Sequence, residues 1–250
     1  GDDAFGQELR TALASEGIDV THVLVQPDEA SGVALIQVDA QGQNSIAVAS
    51  GANFRLSAEN VEKAMQAIGE FDVLVMPLET PLETIYTAAR IASQRGAKVL
   101  LNPAPAQVLE KDLLELVDVL IPNEHEISTM TGMQLQSDSD ISQASGKLMA
   151  LGPKNLIVTL GSRGAMLFDE KSNQGMSIPA WQVQAVDSTA AGDCFVGGLA
   201  VSLCEGKSLL SAIEFASAAA AISVTRAGAQ PSLPHRGEVE QFMRAGRKSQ

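Results

Sequence analysis

Residues 186–195 read VDSTAAGDCF, in which the end of an apolar segment is followed by small residues between two carboxylates. Small residues allow a backbone to approach a phosphate group closely. The apolar residues that follow predict a helix opening at this point, so the N–H groups of Ala191, Gly192 and Asp193 and the helix dipole can hold an anion. The stretch therefore predicts an anion-binding turn that carries its own carboxylate.

A carboxylate in such a turn suits phosphoryl transfer, which depends on positioning and charge stabilisation more than on covalent chemistry. Asp193 is the candidate general base, accepting a proton from a substrate hydroxyl while the 190–193 turn, which begins at Ala190, acts as the anion hole. The alternative is an aspartate at an ordinary helix start, which cap preferences favour for an isolated Gly-Asp pair.

Composition narrows the class of protein. The 250 residues can bury one large core, and the net charge of -13 disfavours nucleic-acid and anionic membrane partners. Cys194 and Cys204 lack the spacing of a disulfide framework or zinc site, which favours a reducing, cytoplasmic location. The sequence contains neither a G-x-x-x-x-G-K-[ST] loop nor a G-x-G-x-x-G motif after a strand, so P-loop and dinucleotide-binding functions are excluded.

Outside the opening stretch, short apolar segments alternate with helical ones. An early pair of alternating segments, 33–38 and 45–49 joined by 39–42, predicts a β-hairpin. Near-continuous apolar strands are then predicted at 71–76, 98–101, 118–121 and 156–160. This pattern is typical of a parallel sheet covered by helices on both faces.

Helix boundaries are marked by local signals. Asp2 and Asp3 predict an N-terminal cap, and the capping box at 80–83 predicts a helix to about Arg95, closed by Gly96. Residues 190–225 predict two closely packed helices with a break at 205–207, and the polar tail after about 234 is predicted to be peripheral.

The segment 187–193, DSTAAGD, resembles the D-T-x-[AG]-[AG]-G-D signature of the PfkB carbohydrate kinase family, with serine for the usual threonine at 188. Further similarities lie, in chain order, at 1–6, 78–81, 101–106, 122–124, 160–164 and 228–232. The resemblance implies a three-layer α/β/α ribokinase-like fold with a mostly parallel central sheet and a small β lid. It also implies a single kinase domain over 1–250, with 32–50 as the remaining lid hairpin.

The resemblance implies ATP-dependent phosphorylation of D-ribose to D-ribose 5-phosphate, with Asp193 as the base and both Glu79 and Asp193 contacting the sugar. Two alternatives stay open. One is a PfkB kinase for fructose, a keto-deoxy sugar acid or a nucleoside. The other is a catalytically impaired nucleotide-binding remnant.

The resemblance also implies residues for ATP, Mg²⁺ and K⁺. Glu126 would organise Mg²⁺ through water, although it also reads as a helix-surface acid. Residues 159–164 also read as a plain hairpin turn, and the Gly228 loop as an ordinary C-cap and turn. Ser217 stands where related kinases often carry His or Asn. The implied ATP-binding residues are Asn123, Thr159, Leu160, Gly161, Ser162, Arg163, Gly164, Gly192, Asp193 and Ser217; those for K⁺ are Asp187, Thr189, Ser223, Arg226, Gly228 and Ser232.

The N-x-D and G-G-x-G-x-N motifs of the family are absent from this sequence, and its one Gly-Gly pair, 197–198, falls inside a predicted helix. The resemblance therefore implies that the family's first strands and half of its lid would precede Gly1. We expect sugar to bind poorly without them. A lone hairpin with an exposed edge also favours dimerisation, and the intact family member is expected to be a homodimer.

Overall fold

The structure is a computed structural model that describes residues 1–38, 44–169 and 172–246. The chain divides into two compact units. One comprises Gly1–Glu70 and Leu78–Ile91, and the other comprises Phe71–Pro77 and Ala92–Gln250. A single kinase domain over the whole chain stays a prediction.

The described residues form helices and strands that alternate along the chain, with the following bounds. The helices are α1 Ala4–Ser15, α2 Ala58–Ile68, α3 Leu82–Gln94, α4 Lys111–Leu114, α5 Glu124–Thr131, α6 Asp138–Met149, α7 Ala191–Cys204, α8 Leu209–Ser223 and α9 Arg236–Gly246. The strands are β1 Val33–Val38, β2 Asn44–Ala49, β3 Val73–Met76, β4 Lys98–Leu101, β5 Val119–Leu120, β6 Asn155–Thr159, β7 Ala165–Asp169 and β8 Ser172–Ile178. Within the described ranges, no helix has the length and apolar character needed to cross a bilayer.

The first unit contains α1, α2 and the hairpin. Asp3 caps α1 as predicted, its Oδ1 accepting a hydrogen bond from the Gly6 N–H at 2.8 Å. Strands β1 and β2 pair antiparallel, with Val33 opposite Ala49, which confirms the predicted hairpin. The predicted turn at 39–42 lies outside the described residues.

The second unit is built on a six-stranded sheet in the order β3-β4-β5-β6-β7-β8. Strands β3 to β6 run parallel, and β7 and β8 are antiparallel to their neighbours. The four parallel strands were predicted, whereas β7 and β8 were not. Strand β8 reads SNQGMSI, a polar segment with a glycine, which carries little of the β-branched signal by which strands are recognised.

Helices cover both faces of this sheet. Because side chains alternate along a strand, neighbouring residues such as Leu156 and Ile157 face opposite sides, and both are fully buried. Helices α7 and α8 pack on one face, and α5 and α6 contact β6. This arrangement confirms the three-layer α/β/α fold. The residues at the α7/α8 face include Leu100, Val119, Ile157, Leu167, Phe195, Leu199, Ile213 and Ala216.

The segment after residue 234 is not the peripheral tail that was predicted. It forms α9, in which Val239 is 2% exposed and the Phe242 ring lies 5.2 Å from the ring of Trp181. Val239, Phe242 and Met243 follow the i, i+3, i+4 spacing of an apolar helix face. This spacing is the signal that the polar composition of the tail concealed.

Candidate active site

The turn at 187–193 is held at the C-terminal end of α8. The N–H groups of Val186 and Asp187 both donate to the Val224 carbonyl, at 2.7 and 3.1 Å. Within the turn, Asp187 Oδ1 accepts from the Thr189 N–H at 2.9 Å and from its hydroxyl at 2.6 Å. Ala190 then takes the left-handed conformation, with φ of 58°, as the N-cap of α7. This left-handed residue directly precedes α7, and Asp193 lies in the first turn of that helix.

The first turn of α7 provides the anion-binding donors. Gly192 and Asp193 are exposed, and N–H groups in the first turn of a helix have no carbonyl one turn behind them. The N–H of Ala191, predicted to be free, instead donates to the Ser188 carbonyl at 3.2 Å. Among the hydrogen bonds of the described residues, the N–H groups of Gly192 and Asp193 have no partner and stay available for the predicted anion hole, and Asp193 lines a cleft of about 480 Å³.

The carboxyl ends of the parallel strands lie side by side, which is where open α/β sheets bind ligands. The Thr159 N–H donates to the Pro122 carbonyl at 2.9 Å, and a β-bridge pairs Thr159 with Asn123. The Asn102 side-chain amide donates to the Ile121 carbonyl at 2.8 Å. Asn102 therefore ties the end of β4 to the end of β5. Its position directly after the apolar strand 98–101 was a usable signal, but no role had been predicted for it.

Asn123 and Glu126 form a capping box at the start of α5. Glu126 Oε2 accepts from the Asn123 N–H and Oε1 from its side-chain amide, both at 2.8 Å. Glu126 is 8% exposed, so it is not the helix-surface acid of the alternative interpretation. Burial raises the pKa of the Glu126 carboxyl, and the negative charge of Asp193 raises it further against the opposing hydrogen bond from Asn123. This interaction places the α5 start and the α7 turn within electrostatic range.

Glu126 is the residue implied to hold a magnesium ion of the kind that kinases use. Mg²⁺ is usually held by one or two carboxylates, with substrate phosphates and water filling the other positions. In the part of the chain that the structure describes, no group of three or more His, Cys, Asp or Glu side chains forms an all-protein metal cluster. The role of Glu126 in holding Mg²⁺ through water stays a prediction.

The segment 159–164 has the geometry of the hairpin turn that was the alternative interpretation. The Leu160 N–H donates to the Gly164 carbonyl at 2.8 Å, and a Cβ on Gly164 would lie 2.1 Å from the Ile178 carbonyl oxygen. Leu160 itself is buried, whereas Gly161 and Ser162 are exposed at the tip. A tight glycine turn of this kind still presents its backbone to a ligand.

Most of the implied K⁺ residues are joined by hydrogen bonds. Asp187 Oδ2 accepts from the Gly228 N–H at 2.9 Å, and the hydroxyls of Ser223 and Ser232, both fully buried, lie 3.1 Å apart. Asp187 accepts three hydrogen bonds, and a carboxylate offers about four acceptor positions, so one position is left. These are hard oxygen ligands of the kind that hard cations prefer, and the implied K⁺ role stays a prediction.

The Arg226 side chain connects the loop that contains Gly228 to α9. Its guanidinium pairs with Glu238 of α9, and the His235 N–H donates to the same carboxylate at 2.8 Å. Helix α9 therefore anchors the loop that contains Gly228, and only the Arg226 carbonyl is available for the implied cation role. Glu238 was not predicted, because it lies twelve residues from Arg226, outside any helical spacing.

Two residues that the resemblance implies for substrate binding, Ser217 and Glu79, have none of the contacts described above with the α7 turn, the α5 start or the cation residues. Ser217 lies partly exposed in the middle of α8. Glu79 is exposed and belongs to the first compact unit, whereas the turn, the α5 start and the cation residues belong to the second. Their roles stay predictions.

Comparison with known proteins shows the family of the chain. Residues 1–236 match the model of the pfkB family carbohydrate kinases. The chain is 43% identical over 243 residues to the ribokinase of Haemophilus influenzae, covering 97% of this chain and 79% of that protein. It is also 38% identical over 243 residues to the deoxyribokinase of Salmonella typhi, covering 97% and 78%.

Among solved structures, the chain is similar to Arabidopsis thaliana ribokinase complexed with ribose and ATP. The TM-score is 0.88 at 32% identity, and the similarity covers 97% of this chain and 79% of that one. The family model covers nearly the whole chain, and the three-layer core is the fold of the ribokinase structures that the chain resembles. The chain therefore belongs to the pfkB family of carbohydrate kinases.

Proposed function

We propose that this protein is an ATP-dependent kinase that converts D-ribose to D-ribose 5-phosphate. The observation that carries the proposal is the α7 turn, in which an exposed carboxylate stands beside two unengaged N–H groups. Further support comes from the H. influenzae ribokinase, at 43% identity, and from the A. thaliana ribokinase complexed with ribose and ATP.

In the proposed reaction, the Asp193 carboxylate accepts the proton of the ribose 5-hydroxyl. At the same time the hydroxyl oxygen of ribose forms a bond to the γ-phosphorus of ATP. The bond between that phosphorus and the β,γ-bridging oxygen breaks, and ADP leaves. The N–H groups of Gly192 and Asp193 stabilise charge on the migrating phosphoryl group. A bound Mg²⁺ supplies further neutralisation of phosphate charge, and Glu126 is the residue that would hold it, through water.

The substrate contacts form the next part of the proposal. The support for a nucleotide site is that Asn123 and Thr159 are adjacent at the carboxyl edge of the sheet, next to the glycine turn. Glu79 would contact the sugar. The nucleotide would lie along Asn123, Thr159, Leu160, Gly161, Ser162, Gly164, Gly192, Asp193 and Ser217.

Potassium, assembly and location complete the proposal. The residues around Asp187 supply the oxygen set that K⁺ prefers, with carbonyls of the Gly228 loop as further ligands. Exposed Val33 and Leu35, which share one face of the hairpin, give it an apolar surface that suits a homodimer. Cys194 and Cys204 are free, as suits a cytoplasmic, reducing compartment.

The deciding experiment measures ADP and sugar phosphate formed from ATP and ribose, with Mg²⁺ and K⁺ present. We expect turnover, and we expect Asp193→Asn to lower kcat by about 10²- to 10⁴-fold, the usual contribution of a general base. Asp112→Asn, an exposed substitution on α4, is the matched control and should keep activity.

Two further measurements distinguish the alternatives. Deoxyribose, fructose and a nucleoside are assayed in parallel, since a relative at 38% identity is a deoxyribokinase. Calorimetry with ATP alone separates nucleotide binding from sugar turnover. ATP binding without turnover of any sugar would contradict the kinase proposal and support a nucleotide-binding remnant.

A further inference from the structure

Arg163 connects the glycine turn to two helices. It ends the short 3₁₀ turn Gly161–Arg163, and its guanidinium donates to Glu124 Oε1 and to Asp138 Oδ1, both at 2.6 Å. Glu124 is the first residue of α5, and Asp138 is the first residue of α6. One side chain thus links three separate segments of the second unit.

Both carboxylates that pair with Arg163 lie at helix N-termini. Carboxylates at helix N-termini interact favourably with the helix dipole. Glu124 directly follows Asn123, the cap of the helix that carries Glu126. The guanidinium therefore joins the tip of the turn to the α5 start, and both segments carry residues of the proposed nucleotide site.

The base of the turn is held in another way. The bond from the Leu160 N–H to the Gly164 carbonyl closes the β6–β7 hairpin, and Gly164 packs against the backbone at Ile178. The hairpin fixes where the turn begins and ends, but it does not fix the spacing between the tip and α5. The bridge between Thr159 and Asn123 holds the start of the turn beside the α5 cap, and the pairs made by Arg163 hold its tip there.

We propose that Arg163 is a positioning residue for the nucleotide, acting through Glu124 and Asp138, and that it does not bind phosphate itself. The inference rests on the proposed ATP site and replaces the direct contact that the family resemblance implied for this residue. Two of its five N–H donors are bound to carboxylates, and the negative charge of Glu124 and Asp138 offsets the attraction of the guanidinium for a phosphate.

The two roles predict opposite effects when a carboxylate is neutralised. If Arg163 bound phosphate, Glu124→Gln and Asp138→Asn would release it and strengthen ATP binding. If Arg163 positions the turn, the same substitutions loosen the spacing and weaken ATP binding. The two substitutions keep the side-chain volume almost unchanged. Loss of these pairs should have little effect on folding, because Arg163 is 48% exposed and exposed ion pairs contribute little to stability.

The experiment measures the Kd for ATP by calorimetry and the steady-state KM and kcat of the full chain. The variants are Glu124→Gln, Asp138→Asn, Arg163→Met, Arg163→Lys and a triple variant that combines the first three substitutions. We expect each neutralising variant to raise the Kd and KM for ATP by about three- to tenfold, with kcat and Tm unchanged. The triple variant should be no worse than Arg163→Met, because all three residues act as one unit. Arg163→Lys should recover part of the loss.

Lys63→Met is the matched control, since it removes an exposed ion pair with Glu59 in the other unit and should leave ATP affinity unchanged. Tighter or unaltered ATP binding in Glu124→Gln and Asp138→Asn, with weaker binding in Arg163→Met, would overturn the inference in favour of direct phosphate contact. Equal affinity in all variants would overturn it as well. Failure of the unsubstituted chain to bind ATP would instead remove the proposed nucleotide site, and the inference with it.

Discussion

At the scale of single residues, two aspartates connect segments that are distant in sequence. Asp3 accepts from the Gly6 N–H and from the hydroxyl and N–H of Ser31, and Asp187 accepts from Thr189 and Gly228. Their hydrogen bonds, above all those from the side chains of Ser31 and Thr189, lower the pKa of each carboxyl to about 2. Both are therefore ionised anchors throughout the neutral range.

Asp3→Asn should lower the Tm at pH 7, because an amide cannot accept on both sides and its N–H₂ would face a donor of Ser31 or Gly6. The pKa of Asp3 falls from 3.8 to about 2 on folding, so the ionised carboxylate stabilises the fold above about pH 4, and this contribution is lost as pH falls toward 2. The Tm difference between the variant and the parent should therefore shrink over that interval in thermal unfolding monitored by circular dichroism.

Asp2→Asn is the control for this prediction, since Asp2 is the exposed neighbour whose backbone N–H donates to the Glu29 carbonyl. It should leave the Tm unchanged. A Tm difference for Asp3→Asn that stays constant from pH 7 to pH 3 would show that the ionised carboxylate is not the cause.

At the scale of elements, helix α7, which carries Asp193, packs closely against α8. A Cβ on Gly198 would lie 3.1 Å from the Ala216 Cα, whereas a Cβ on Gly197 would have no described atom within 4 Å. The pair is adjacent in sequence but faces different surroundings. Gly198 therefore has a packing role that Gly197 lacks.

Gly197→Ala should raise the free energy of unfolding by about 0.5–1 kcal/mol, the usual gain from replacing glycine inside a helix. Gly198→Val should lower it by about 1–3 kcal/mol, because a branched side chain would push α7 away from α8. Urea denaturation of both variants measures the difference. Equal effects of the two substitutions would contradict the close contact at Gly198.

Element prediction from the sequence succeeded where the signals were local. The hairpin, the four parallel strands, the break at 205–207 and the cap at Asp3 were confirmed, because periodicity and capping are encoded by neighbouring residues. Strands β7 and β8 and helix α9 were missed or misjudged. Strand β7 is apolar and was missed although its signal is local. Strand β8 and helix α9 are polar in composition, and each is stabilised by residues that come from elsewhere in the chain.

At the scale of the whole molecule, burial is unequal between elements. Helix α8 is buried along most of its length, whereas Gly6 is the only buried residue of α1, and Phe5 and Leu9 on α1 are 61% and 49% exposed. Local opening requires less free energy where fewer apolar contacts are broken. The sheet and its covering helices should therefore form the stable core of the protein.

Hydrogen exchange followed by mass spectrometry should show amides of α1 exchanging well before those of α8. Helix α2, where Met65 is the one residue described as buried, provides a second comparison and should resemble α1. Protection of α1 equal to that of α8 would contradict the idea that burial in the described residues sets local stability. The measurement requires only the unliganded chain.

The sequence by itself determined the hairpin, the four parallel strands, the family signature at 187–193 and the carboxylate at Asp193, because each is written in adjacent residues. Tertiary structure alone decided which of these parts face one another. Asp187 and Gly228 are 41 residues apart, and Arg163 and Glu124 are 39 apart, yet each pair is joined by a hydrogen bond. No local pattern encodes such partners, since they meet only when the sheet brings the ends of its strands and the starts of its helices to one edge.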